Sequence, residues 1–554
     1  MTISFSSEQY EALKAAGINH PAMTETGWSR EKEATFETYH VDGEFIRAVH
    51  TFASKNSQVF NGVLQKLSLV RKAVDDPHAP VTRLDALAEA ITQACMVQSA
   101  TRWLFQHNND IGIPLPYLTT GAVYTPSQKD VPASVRVNLV YWTKGEQRST
   151  GITFHDNDLF NQEKQRRGMT VSSLLAQHGY GFVGEDIVQQ YHQTLKQWED
   201  YMAQVNTQFL LTTSWLPSNE DWRYTSTSRE YLTGVSNFKV INDISAFRSK
   251  GESSRKMKLP NLRGGDEVDV FEIPIHPYLY VFNLETHDHM WVPCTWVSPY
   301  QYDEVLINRL IIPQYHKDLV NLLVSNPDTL KADFVKGKSG GTIIMAKGSP
   351  GTGKTMTAEA FSERAGVPLY RVQSDQLGVT AKALEGNLKE VFARAQRWGA
   401  ILLIDEVDIY VYERGTNIEQ NAIVGTLLRT LEYFNGVIFM TTNRDLLIDD
   451  AVLSRCSAVL TYSNPDREAA AQILKQFAGL FDLKVTAKET TQFLEILFEE
   501  FQSRPQSEKD ADKRNDKNPI SPRTIKNLLR LTKRLGNDTA TTENLSYALQ
   551  FLPG

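Results

Sequence analysis

The sequence predicts an α/β protein whose later half is a five-stranded parallel sheet followed by a helical lid, with a mixed helical and β region ahead of it. Three observations carry this. Five short, nearly continuous apolar runs, TIIMA (342–346), VPLYRVQ (367–373), AILLI (400–404), VIFMT (437–441) and AVLTY (458–462), are separated by helical stretches, as a parallel sheet covered on both faces requires. Beyond Pro465 apolar residues recur at helical spacing, with Ala470, Ile473, Leu474 and Phe477 on one face. Before residue 310, helical periodicity gives way to alternating β-branched and aromatic runs.

Taken in order, residues 1–115 read as a helical N-terminal region, from VFNGVLQKLSLVRKAV (59–74) and LDALAEAITQACMVQSATRWLF (84–105). Residues 116–310 read as a mixed α+β domain. In it, SVRVNLVYWTKGEQRSTGITF alternates on both sides of a Gly-containing turn, which predicts a hairpin, and a helix is expected at 183–206. Four further strand-like runs, FKVIND, EVDVFEIPI, LYVFNLE and MWVPCTWV, are interrupted by the polar stretch 248–265, expected as an exposed loop. The core is expected over 311–463 and the lid over 464–554. Within the lid, Ile525, Leu528 and Leu529 mark one helix, Leu545, Ala548, Leu549 and Leu552 another, and the charged insertion 503–519 a loop.

A chain of 554 residues exceeds one ordinary hydrophobic core. Its near-average Gly and Pro content, 32 and 22 residues, excludes collagen-like or wholly disordered architecture. A net charge of -7 argues against a generally basic nucleic-acid coat. Three cysteines, Cys95, Cys294 and Cys456, supply neither a disulfide framework nor a cysteine zinc site. The opening MTISFSSEQYEALKAAG lacks the pattern of a secretory signal, and no apolar run has the length of a membrane span. The expectation is a cytoplasmic protein with no membrane span. All twelve histidines lie at or before His316 and eight of nine tryptophans at or before Trp296, so the two halves are compositionally unlike.

The chemistry concentrates after residue 340. Gly348, Ser349, Pro350, Gly351, Thr352, Gly353, Lys354 and Thr355 spell a P-loop between the strand TIIMA and the helical stretch starting at Met356. Such a loop turns backbone N–H groups toward phosphate oxygens, and the following helix adds its dipole. Lys354 is expected to reach the β and γ phosphates, and Thr355 to place its hydroxyl on Mg2+. Met356 completes the ATP-binding segment. Asp405 and Glu406 follow 51 residues after Lys354, at the end of an apolar strand where open α/β sheets place ligands. Asp405 is assigned to the metal and Glu406 to the attacking water. Asn443 ends the next strand, with an amide suited to water and phosphate. Arg455, twelve residues on, is a candidate finger into a neighbouring subunit's site. Arg523 stands just inside a helix capped by Ser521 with Pro522 at its first position, and is a candidate reporter of nucleotide state.

With these parts in order, the chain resembles the AAA family of ATPases. The segments AQRWGAILLIDEVDIYVYERG, NAIVGTLLRTLEYFNGVIFMTTNR and DDAVLSRCSAVLTYSNPD resemble a group of AAA proteins from bacteria, phages and fungi, in which a pre-ATPase domain leads into the module, and HKDLVNLLV resembles that junction. The resemblance covers about 310–535. It implies a five-stranded nucleotide-binding core with helical lid, ATP and Mg2+ between subunits, and a homo-oligomeric ring, commonly a hexamer. The chain departs from peptide-threading members. Where they carry an aromatic pore loop before the helix containing Phe392, this sequence has Leu377, Gly378, Val379, Thr380 and Ala381. A motor that remodels a folded assembly or moves an interaction domain fits this departure.

The leading expectation is therefore a ring-forming ATP hydrolase that remodels a protein partner selected by residues 1–300. The alternatives are a nucleic-acid-acting motor or loader, kept open by Lys382 and Lys389, and a nucleotide-gated scaffold or switch. Three weaker signals have plain readings beside the functional ones. His287 and His289 on one strand face can be metal ligands or ordinary strand residues. The basic residues Arg248, Lys250, Arg255, Lys256, Lys258 and Arg263 can touch phosphates or form a solvated loop. Cys456 can sense oxidation or simply fit as a small side chain.

Overall fold

The strands of the later half form one parallel sheet in the order Leu369–Gln373, Ile401–Asp405, Val437–Thr442, Thr342–Gly348, Ala458–Tyr462. All five apolar runs read from the sequence are strands of this sheet. It belongs to a computed structural model that describes the chain outside residues 1, 21–22, 27–32, 38–42, 61–62, 65–66, 68–70, 72–78, 99–101, 108–111, 113, 129–130, 162–165, 218–228, 251–272, 326–340, 415–416, 444–447, 504–520, 536–537 and 552–554. Alternate residues of each strand feed opposite layers. Met345, Leu402, Ile404, Ile438 and Met440 pack under the helices Ala381–Trp398 and Ile418–Leu431. Ile344, Ala346, Ile401, Leu403 and Phe439 pack under the helix Lys354–Ala365 through Ala358 and Phe361. Burial on both faces is why these strands read as unbroken apolar runs.

Beyond the sheet, the helices Arg467–Leu480, Ala487–Ser503, Pro522–Arg534 and Thr542–Leu549 share a small core around Leu474, Phe493, Leu528 and Leu545. The expected loop at 503–519 lies almost wholly outside the described residues.

The front half carries more β structure than its sequence suggests. Over residues 1–115 the helices Ser7–Ala15, Gly43–Lys55 and Leu84–Gln98 are joined by a three-stranded antiparallel sheet, Thr2–Phe5, Glu33–Glu37 and Thr24–Thr26, and by the strand Trp103–His107. These strands have three to five residues, too few for a two-residue alternation to stand out beside longer helical patterns. Ile3 and Phe5 nonetheless bury with Leu13, Ile46 and Val49 in a core of their own.

A five-stranded antiparallel sheet follows, built around Pro114–Thr125 and the hairpin Ser134–Thr143 with Glu146–His155. The hairpin's two-residue turn uses Lys144 and Gly145, both at positive φ, the geometry that matches strand twist. The helix Glu185–Ala203 leads to a second antiparallel sheet in the order His289–Pro293, Tyr278–Asn283, Arg229–Asn242, Gln208–Pro217, Val297–Pro299. This second sheet abuts the parallel one. Ile241, Phe282 and Leu284 belong to the same buried cluster as Leu402 and Met440, and the Phe282 ring lies 4.9 Å from Trp398.

Two carboxylates tie this contact. Asp243 is fully buried and accepts from Arg397 Nε at 2.9 Å and Nη2 at 2.8 Å, from Trp398 Nε1 at 3.1 Å and from His289 Nε2 at 2.8 Å. Glu363, on the P-loop helix, accepts from Lys239 and the Tyr300 hydroxyl, both at 2.6 Å, and from the Asp303 backbone N–H at 2.9 Å. Burial alone would raise both carboxyls, but these hydrogen bonds hold them below the usual range. Among the described residues, no helix is long and apolar enough to cross a membrane.

Candidate active site

The phosphate loop is shaped by close approaches that admit only glycine. Gly348 ends its strand at φ 142°, and a Cβ there would lie 2.1 Å from the Tyr462 carbonyl oxygen of the adjoining strand. Gly351, at φ 80°, lies beneath the lid: a Cβ would sit 2.7 Å from Arg523 Cβ and 3.3 Å from Ser521 Oγ. Thr352 Oγ1 donates to the Ser349 carbonyl at 2.8 Å and closes the turn. Pro350 and Ser349 are half-buried, Met356 is exposed on the first turn of the helix, and Gly353 precedes that helix at φ 101°. The buried Lys354 ammonium donates to the carbonyls of Gly348 at 2.7 Å and Ser349 at 2.8 Å, so it is held on the loop itself.

Asp405 ends the buried strand Ile401–Asp405, which Val437–Thr442 separates from the strand leading into the loop, and gathers four donor contacts. Thr355 Oγ1 is 3.2 and 3.3 Å from its two oxygens, and Thr441 Oγ1 donates to Oδ1. Arg371 Nη2 is 2.6 Å from Oδ2. Glu406 then turns the chain with φ 56°, a left-handed conformation unusual outside glycine, while its N–H donates to Thr441 Oγ1 at 3.0 Å. The turn leaves the Glu406 side chain exposed as Asp405 stays buried. Asn443 is placed by Asp408, whose carboxylate accepts from the Asn443 N–H at 3.2 Å and from the Thr442 hydroxyl.

The structure thus joins Thr355 to Asp405, Lys354 to the glycine loop and Arg523 to Gly351. The cap at Arg523 is as the sequence suggests: Ser521 Oγ accepts from the Thr524 N–H at 3.1 Å, with Pro522 first in the helix. Arg455 has other partners within the chain. Its Nη2 pairs with Glu432 at 2.6 Å and its Nη1 donates to the Ala451 carbonyl at 3.1 Å. Reasoning from motifs missed Arg371, Thr441 and Asp408. The available signal for Arg371 was a charge within the otherwise strand-like LYRVQ.

The weaker signals resolve into structural roles where they are described. His289 bonds Asp243 and stacks on Tyr280, while His287 faces the Tyr370 ring. Among the described residues no group of three His, Cys, Asp or Glu side chains that could hold a metal ion assembles. Burial pushes the Cys456 thiol up to about 11, away from the thiolate a redox sensor needs. Most of the basic loop, including Arg255, Lys256, Lys258 and Arg263, lies outside the described residues.

Residues 344–464 match the family described as "ATPase family associated with various cellular activities (AAA)". This part of the chain is an AAA ATPase domain. An uncharacterized AAA family ATPase, y4kL of Sinorhizobium fredii, is 32% identical over 138 residues, 23% of this chain and 41% of that protein. Cell division control protein 48 homolog C of Arabidopsis thaliana is 30% identical over 198 residues, 31% of this chain and 24% of that protein. A chain of the HORMA:CdnC:Trip13 complex of E. coli MS115-1 aligns with TM-score 0.34 and 17% identity, covering 45% of this chain and 91% of that one. The chain spans less than half the length of the curated relatives it matches. The AAA domain includes the loop at Val379, which is 73% exposed and carries no aromatic residue between Leu377 and Ala381.

Proposed function

We propose that the protein is a Mg2+-dependent ATP phosphohydrolase, working as a homo-oligomeric ring in the cytoplasm to remodel a protein partner selected by its front half. The observation that carries the reading is the convergence of the glycine loop with Lys354, Thr355 and Asp405 at one strand-end cleft. The residues fit the group. Gly351 leaves the space beneath Arg523 that a Cβ would fill, and a carboxylate with a hydroxyl at 3.2 Å is the oxygen donor set a hard cation prefers. Thr355 and Asp405 would hold Mg2+, which when bound neutralises phosphate charge and polarises the γ-phosphoryl group.

The chain's own residues supply the rest. Lys354 exchanges the carbonyls of Gly348 and Ser349 for phosphate oxygens. Glu406, exposed at the strand end, orients the attacking water and accepts its proton, with Asn443 as the second polar contact. Arg523 brings the lid against the loop and senses whether it is filled. A partner-remodelling role is supported by the large front half joined to the P-loop helix through Glu363, and by the absence of an aromatic grip at Val379.

The test is Glu406→Gln in the full chain. Nucleotide binding measured with a fluorescent ATP analogue should stay within about threefold of wild type, while phosphate release falls by roughly a hundredfold or more. Retained turnover would remove Glu406 from the reaction. A partner co-purifying with the ATP-loaded variant identifies what the front half selects, and nucleic acid in its place would favour the motor or loader reading.

A further inference from the structure

Arg371 is a contact that phosphate binding does not require. Its strand, Leu369–Gln373, is the edge of the parallel sheet, and its neighbours Tyr370 and Val372 point into the buried layer under the helix Ala381–Trp398. Alternation therefore sends the Arg371 side chain to the opposite face, the one covered by the P-loop helix. There Nη2 lies 2.6 Å from Asp405 Oδ2. The Asp405 side chain is 8% exposed, whereas that of Arg371 is 45% exposed and open to solvent along the sheet edge.

The two oxygens of Asp405 are differently engaged. Oδ1 receives the Thr441 hydroxyl, and Oδ2 receives the guanidinium. Arginine cannot lose its proton to relieve a conflict, so a divalent cation on this carboxylate both competes for the same lone pairs and repels a fixed positive charge. The guanidinium has a second acidic neighbour. Glu359, one helical turn before Glu363 on the P-loop helix, is exposed, and Arg371 and Lys239 are the cations that act on it.

We propose that Arg371 is an internal counter-cation: it holds the cation position on Asp405 in the absence of a divalent metal, yields it by moving toward Glu359, and so sets the Mg2+ concentration the site requires. The inference rests on the ATP reading above. It makes Arg371 a positioning residue, acting through Asp405 and touching no substrate. It also gives the edge strand a use for a charge that a buried strand would exclude, since only an edge leaves room for the guanidinium to move.

The experiment is Mg2+-dependent binding of a fluorescent ATP analogue to the full chain, titrated with MgCl2 from a chelator-stripped start. Arg371→Gln should lower the half-saturating Mg2+ concentration by roughly tenfold, the scale of one charge-assisted hydrogen bond. Arg371→Lys should lie between it and wild type. Glu359→Gln removes the alternative partner and should raise the Mg2+ requirement severalfold, a shift in the opposite direction that a merely structural role would not produce. Thermal melting in chelator checks that each variant is folded, and Glu359→Gln tests the idea even where Arg371→Gln does not fold. An unchanged or increased Mg2+ requirement in Arg371→Gln, or no shift in Glu359→Gln, overturns the proposal. A wild-type chain that binds no nucleotide at any Mg2+ concentration overturns the ATP reading itself, a result distinct from Mg2+-dependent wild-type binding that the variants leave unmoved.

Discussion

Gly351 is the point at which the lid meets the phosphate loop, and it shows how much one missing methyl group does there. Its φ of 80° strains any residue with a side chain, and a Cβ would also press within 2.7 Å of Arg523 Cβ. Backbone strain at such a position costs about 1–3 kcal/mol. The Arg523 contact adds a second penalty, because its Cβ is fixed to the helix backbone and cannot swing aside. Gly351→Ala should therefore lower thermal stability by that order and weaken nucleotide binding at least tenfold, measured by melting and by fluorescent ATP analogue titration. Arg523→Gly in the same chain removes the clash but not the strained dihedral, so it should recover only part of the lost thermal stability. Full recovery would show that φ at Gly351 carries no cost. Glu406 bears the same kind of strain at φ 56° without being glycine. There the unusual turn has a use: it separates two adjacent carboxylates, one buried on Thr355 and one exposed.

At the scale of elements, the two five-stranded antiparallel sheets are joined by a buried histidine. His276 Nε2 donates to the Pro116 carbonyl at 2.9 Å, and its ring stacks 4.4 Å from Tyr141 with Tyr117 at 4.8 Å. Burial pushes its pKa down to about 4 from an ordinary 6.5, although the Pro116 hydrogen bond opposes the shift. In that interval the unfolded chain binds a proton that the folded chain does not, so stability rises with pH between about 4 and 6.5 and is lost as pH falls through the same window. The linked change is on the order of 3 kcal/mol. Melting temperature measured across this range should fall toward acid, and His276→Gln should flatten that part of the profile; an unchanged slope would assign the acid sensitivity elsewhere. Legibility in the sequence also follows from element physics. Strands of the parallel sheet were readable because both faces are buried, leaving runs such as ILLI without polar breaks. Gly348 to Thr355 and Asp405 were readable as a candidate site because the proposed phosphate loop takes contiguous residues after one strand and an acid at the end of another. Arg371, Thr441 and Asp408 were not, since each reaches the site from a separate element and nothing in local spacing records which strands lie side by side. The three-stranded sheet of residues 2–37 was hidden for another reason: strands of three to five residues hold too few repeats of a two-residue alternation to announce themselves.

At the scale of the whole molecule, the placement of Arg455 decides what an assembly must supply. Within one chain its guanidinium is engaged by Glu432 and the Ala451 carbonyl, at a partly exposed position, while the phosphate loop holds its own Lys354. If Arg455 acts in hydrolysis, it acts on a second copy of the chain, and each site is then built from two different subunits. Lys354→Ala and Arg455→Ala should each abolish turnover alone, the first by disabling a subunit's own site and the second by disabling its neighbour's. Mixed together, an Arg455→Ala subunit still has an intact Lys354, and a Lys354→Ala subunit beside it still offers Arg455. Random equimolar mixing into a closed ring composes such a pair at about one interface in four. Phosphate release should therefore recover to roughly a quarter of the wild-type rate if each interface works independently, and to less if firing must pass around the ring. Fluorescence energy transfer between labelled variants confirms that the subunits have exchanged. Exchange without recovery at any mixing ratio would place Arg455 outside the reaction and leave its pair with Glu432 as a surface contact of the AAA domain.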